Sequence, residues 1–146
     1  MKKKTLFGTA VIVLLVLAAV GLFRLYGPRL FTALPICDTL QSAEGFQVTA
    51  DQGTGEEPVS VRVSREDLEP LFDLLESGTV RYMGTLSYYS LPAYELVTLP
   101  GGEANLSITP DGWLQIPRDS GKGIARYRLS GCDQEALERI LYQLTA

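Results

Sequence analysis

Histidine, the side chain most often used as a general base and as a transition-metal ligand, is missing from all 146 residues of this chain. Serine and cysteine nucleophiles therefore lack their usual partner. A Ser-Lys mechanism needs only one base, and the one lysine beyond the N-terminal segment, Lys122, lies in the turn Asp119-Ser120-Gly121-Lys122-Gly123. Lowering a lysine pKa takes burial, which a Gly-rich turn does not supply. The same turn lacks the spacing of a phosphate loop, and no Ser or Thr follows the lysine.

Carboxylates are plentiful: Glu56 with Glu57, the group Glu66, Asp67 and Glu69, and Glu95 with Glu103 across a proposed hairpin. Paired carboxylates can hydrolyse glycosides. These, however, read as a solvated surface, and the group at 66–69 has a simpler role beside a helix N-terminus. The stretch Asp51-Gln52-Gly53-Thr54-Gly55-Glu56-Glu57 departs from a calcium loop at its third and fifth positions. No catalytic residue, metal site or cofactor is expected.

Cys37 and Cys132 are the only cysteines. Outside a reducing compartment they suit one disulfide, which would close a long loop and add about 4 to 5 kcal/mol in the chain-entropy picture. Each is followed by an aspartate, Asp38 and Asp133, but two thiolates and two carboxylates without histidine make a poor zinc set. The disulfide is the expectation.

Aromatic residues are unevenly placed. Four of seven tyrosines, Tyr82, Tyr88, Tyr89 and Tyr94, fall between Arg81 and Tyr94. Exposed tyrosines recognise peptides and sugars because each ring offers area at low entropic cost; the plainer reading is a strand with half-buried rings. Trp113 falls, by strand alternation, on the side away from the core, with Glu95, Val97, Leu99, Glu103, Ile124, Arg126 and Arg128. Trp113, Tyr82, Tyr88, Tyr89, Arg126 and Arg128 are thus the candidate partner-binding residues. Folding of the Tyr-rich segment over this face would instead make Trp113 part of a second small core. Asn105-Leu106-Ser107 matches a glycosylation sequon, relevant only in a eukaryotic secretory route.

The elements that must position these residues are legible from spacing. Strands are expected at Phe46 to Thr49 and Val59 to Val63, on either side of the turn at 50–58. Leu68, Leu71, Phe72 and Leu75 repeat at helical intervals, capped by either Ser64 or Asp67, with Pro70 complicating the start. Two five-residue segments, Leu99-Pro100-Gly101-Gly102-Glu103 and Thr109-Pro110-Asp111-Gly112-Trp113, share Pro second and Gly fourth, as three-residue hairpin loops require. That length sets Leu99 against Glu103, Leu96 against Leu106, Ile108 against Leu114 and Leu106 against Ile116. Ala125, Tyr127 and Leu129 offer a further strand to the same side. A closing helix carries Leu137, Ile140, Leu141 and Leu144, with Asp133 as cap. The class expected is α+β: an antiparallel sheet with two helices packed on one face.

Ahead of all this, Thr5 to Phe23 is a run of 19 uncharged, mostly apolar residues, long enough as a helix for a hydrocarbon core of about 30 Å. Lys2, Lys3 and Lys4 precede it, while Arg24 and Arg29 follow, which favours a cytoplasmic N-terminus. Ala19-Val20-Gly21 also fits a signal-peptidase site, but the run is longer than a signal's apolar stretch and has no polar break there. The expected organisation is a basic tail and signal-anchor helix at 1–29, a juxtamembrane stalk at 30–45 and an extracytoplasmic domain at 46–146.

Charge narrows the partners. Thirteen Lys and Arg, less the five in or beside the apolar run, leave eight against seventeen Asp and Glu, a formal charge of −9 for the rest of the chain. Nucleic acid requires the opposite. The function expected is a non-catalytic interaction or sensory domain held at the cell membrane, its partner another envelope or membrane protein. A structural accessory subunit is the alternative, with a carboxylate hydrolase behind it.

Overall fold

The computed structural model of the chain describes residues 2–118 and 121–146; Asp119 and Ser120, in the lysine-bearing turn, lie outside them. The first element, α1 (Lys2–Tyr26), buries none of its residues and is long and apolar enough to cross a membrane. Gly27 ends it: its amide closes on Phe23 O at 2.7 Å, and a Cβ there would meet that same oxygen at 2.2 Å. Arg29 then donates to Arg24 O and Leu25 O at 2.6 and 3.1 Å, and Arg81 Nε donates to Tyr26 O at 3.0 Å. The last carbonyls of α1, normally left to solvent, are thus bound by the chain that follows, one of them by a residue of the sheet.

Residues 30–45 do not form a stalk. After the short strand β1 (Arg29–Leu30) comes a 3₁₀ turn (Phe31–Ala33) and then α2 (Ile36–Ser42). Phe31, Leu34, Cys37 and Leu40 are all buried in the main core. The spacing 31, 34, 37, 40 is an apolar stripe interrupted by Pro35, which disguised it as a linker. The folded domain therefore begins within a few residues of the end of α1.

Eight strands follow one another in a single antiparallel sheet: β1, β2 (Gly45–Asp51), β3 (Val59–Ser64), β4 (Thr79–Leu86), β5 (Ala93–Leu99), β6 (Asn105–Ile108), β7 (Trp113–Pro117) and β8 (Ile124–Ser130). Their spatial order is β1-β4-β8-β7-β6-β5-β2-β3. With α3 (Arg65–Ser77) and α4 (Gln134–Leu144) contributing to the core, the class is α+β, as the spacing predicts. Leu96 faces Leu106 and Ile108 faces Leu114, the register that the hairpin lengths require. At the first hairpin the β5–β6 ladder runs to Val97 and Asn105, in the register that sets Leu99 against Glu103, while on its other edge Leu99 pairs with Gly45. Thr98 extends that register toward the loop: its amide donates to Ala104 O at 3.1 Å and its buried hydroxyl accepts from the Ala104 amide at 2.9 Å.

Ser64 is the cap of α3, in a reciprocal capping box with Asp67. Pro70 is tolerated inside the helix because both it and Glu66, whose carbonyl loses a partner, are exposed to water. Asp133 caps α4 through the Ala136 amide. The two helices lay Leu68, Leu71, Leu75, Leu137 and Leu141, all 0% exposed, onto the sheet side that presents Phe46, Val48, Leu96, Leu106, Ile108 and Leu114.

Candidate functional site

Strand alternation sends a different set of side chains to the side of the sheet away from the helices. In one row across β4, β8 and β7 stand Arg81, Arg128 and Trp113; in the next, across β8, β7, β6 and β5, stand Arg126, Gln115, Ser107 and Glu95. Trp113 is stacked between two of them. The Arg126 guanidinium carbon lies 3.4 Å from the Trp113 ring centre and that of Arg128 lies 4.9 Å from it. Both are within the range of a cation-π contact, worth about 0.5 to 2 kcal/mol according to exposure. Arg128 also donates to the Asp111 main-chain oxygen at 2.7 Å, whereas Arg126 Nε is buried with no hydrogen-bond partner. Among the described residues, Arg81, Arg126 and Arg128 form no ion pair.

Two carboxylates on neighbouring segments are already engaged. Asp111 accepts from the Thr109 hydroxyl and Glu95 accepts from Asn105 Nδ2 at 3.0 Å. The latter bond also occupies the nitrogen that a glycan would modify. Elsewhere, Asp51 Oδ1 accepts from the Gly53 amide and so serves its own turn, while Glu56, Glu57 and Glu103 are exposed. Lys122 is exposed as well.

The Tyr-rich segment covers part of this face but not Trp113's flank. Gln115, with 0% exposure, accepts from the Ser90 amide at 2.6 Å and donates to Ser90 O at 3.1 Å. A buried amide bonded twice to one residue's backbone fixes a loop as a strand partner would. Residues 87–92 are thereby laid over the middle of the sheet. Tyr89 lands near Glu95: burial first, and that carboxylate second, push its hydroxyl pKa up. Tyr88 points outward and is 85% exposed. Strand alternation gives no signal for this arrangement, since it puts Gln115 on the side away from Leu114 and Ile116, where a glutamine is as readily solvated as buried.

Tyr82 belongs elsewhere. It pairs with Tyr127 on the helix side of the sheet, stacking on that ring at 5.6 Å and on Tyr26, the last residue of α1, at 6.4 Å. Alternation sets it there, two residues after buried Val80 and one after outward Arg81; the bulge in β4 comes later, between Tyr82 and Thr85. Of the six candidates, Trp113, Arg126 and Arg128 are in contact, Tyr88 and Tyr89 sit on the adjoining loop, and Tyr82 is on the opposite side.

The expected disulfide is absent: Cys37 and Cys132 are both free thiols. Cys37 is held on the buried face of α2, and Cys132 follows β8, its Cβ close against Gly78 at the start of β4. A loose stalk could have carried Cys37 to its partner, but a packed helix sets the position of the thiol itself. Burial raises the pKa of each.

Comparison with protein-family models, with curated proteins and with solved structures finds no match to this chain.

Proposed function

We propose that this chain is a membrane-anchored, non-catalytic interaction domain that uses the sheet face around Trp113 to hold another membrane or envelope protein. In this reading α1 spans the bilayer, the N-terminus is cytoplasmic and the folded domain lies outside. The observation that carries it is the Arg126, Trp113 and Arg128 stack: two guanidinium groups on one indole, with no carboxylate among the described residues paired to either, beside a loop that projects Tyr88 into solvent. Tryptophan, tyrosine and arginine are the residues in which binding energy concentrates at protein interfaces. A purely internal role would be expected to neutralise at least one of these cations.

The test is capture of the partner from native membranes by full-length protein carrying Trp113→Ser, Tyr88→Ser and Tyr89→Ser together. Loss of capture with the fold retained, judged by circular dichroism, is expected. Capture at the wild-type level would count against the reading.

A further inference from the structure

The arginine cluster has a definite height above the membrane, and that height identifies the partner's chemistry; the inference rests on the interaction role proposed above. Arg81 shares a row with Arg128 and Trp113 and simultaneously donates Nε–H to Tyr26 O, at the very end of α1. Neighbouring strands are spaced about 4.8 Å apart. Arg128 and Trp113 therefore stand within about 10 Å of Arg81, and through it of the point where α1 ends. Arg24 and Arg29 lie at the same level.

This patch is out of character with the rest of the domain. The chain beyond Arg29 has a formal charge of −9, and the helical layer carries Glu66, Asp67, Glu69, Asp73 and Glu76 on α3 alone. On the opposite side, Arg81, Arg126 and Arg128 have no ion pair among the described residues, and Asp111 and Glu95 bond to Thr109 and Asn105. We infer that the patch binds an acidic juxtamembrane segment: a run of Asp or Glu that immediately follows the transmembrane helix of a neighbouring protein.

Charge complementarity selects the sign, and the Arg81 bond to α1 selects the height. Guanidinium groups pair with carboxylates in a planar, two-pronged geometry. Trp113 holds two of them in place beforehand, which lowers the ordering cost on binding. An acidic loop far from the membrane would have to fold back to reach the patch. A carboxylate run following a span is already at the right level.

The decisive experiment uses the full-length chain in nanodiscs of zwitterionic phosphatidylcholine, with a fluorescent acceptor on Met83→Cys, an exposed position of β4, in a background where Cys37 is replaced by Ala and Cys132 by Ser. The probe is a synthetic leucine-rich transmembrane peptide bearing a donor and followed directly by four glutamates. Energy transfer should exceed that of an otherwise identical peptide ending in four lysines by at least tenfold in apparent affinity. Moving the glutamates outward by a twelve-residue Gly-Ser spacer should remove most of that gain. Arg128→Glu should abolish the preference, while Arg128→Lys should keep a reduced part of it. Because the glutamate-to-lysine change alters only the peptide, folding of a variant cannot mimic the result.

Equal transfer from glutamate and lysine peptides would overturn the inference. So would loss of the preference on adding phosphatidylglycerol to one fifth of the lipid, since the patch would then belong to anionic headgroups. If the acidic probe fails while the Trp113, Tyr88 and Tyr89 replacements still abolish capture of the native partner, the interaction role stands and only this assignment of chemistry falls.

Discussion

Replacing Phe31 by Ala probes the least expected feature of the fold, that the domain begins almost at the end of α1. Phe31 is 0% exposed and belongs to the main core. Truncating a fully buried phenylalanine costs about 3 to 5 kcal/mol, the lost transfer free energy plus the cavity left behind. Domains have total stabilities of about 5 to 15 kcal/mol, so the change removes a third or more of it in most cases. With a urea dependence of about 2 kcal/mol per molar, the unfolding midpoint should fall by about 2 M. The assay is urea unfolding of the full-length chain in detergent micelles, followed by fluorescence of Trp113, the only tryptophan. Thr32→Ala is the control, because Thr32 is exposed and should shift stability by no more than about 0.5 kcal/mol. If Phe31→Ala and Thr32→Ala unfold alike, residues 30–45 are a linker and the placement of the binding face at the membrane surface loses its basis.

Three further outcomes follow from the same structure. Gln115→Leu removes both bonds to Ser90, so limited proteolysis should cut within residues 87–92 severalfold faster; an unchanged rate would mean the loop is held by something else. In urea without reductant, a maleimide should label both Cys37 and Cys132, and a need for reductant would restore the disulfide. Stability should be level through neutral pH and decline above it: burial raises the Cys37 and Cys132 thiols above their ordinary 9.0 and the Tyr89 and Tyr127 hydroxyls above their ordinary 10.0. Between those values and the higher folded ones, the unfolded chain gives up protons that the folded domain retains, so stability falls as pH rises. Denaturation midpoints that hold constant from pH 8 to 10.5 would contradict this.

What the sequence made legible divides along a physical line. Where one side of an element is buried and the other wet, period and turn chemistry were sufficient for the stripes of α3 and α4 and for the pairings of Leu96 with Leu106 and Ile108 with Leu114, and Asp133 stood out as the cap of α4; the choice of Ser64 over Asp67 as the cap of α3 needed the structure. Gly102 and Gly112, at φ of 65° and 93°, close the two hairpins in the left-handed conformation that their positions demand. Failure came where local pattern is broken. Pro35 divides the stripe from Phe31 to Leu40, so a core segment resembled a stalk. Tyr82 sits among other tyrosines in sequence, but the alternation it shares with buried Val80 keeps that ring on the helix side, next to Tyr26. The two cysteines show the limit of counting residues, since pairing depends on where packed elements hold each thiol. For the proposed binding face, alternation placed Trp113, Arg126 and Arg128 together, but the clamp of Gln115 on Ser90 requires contacts between segments 25 residues apart.

The interaction role is tested most directly by site-specific photocrosslinking in the native membrane. A photoreactive amino acid at position 88, beside the Trp113 face, is compared with one at position 69, an exposed site on α3. A discrete adduct should form from position 88 alone and vanish when Arg126→Glu and Arg128→Glu are introduced. Equal adducts from both positions, or an adduct from position 88 that survives the charge reversal, would contradict the assignment of this face.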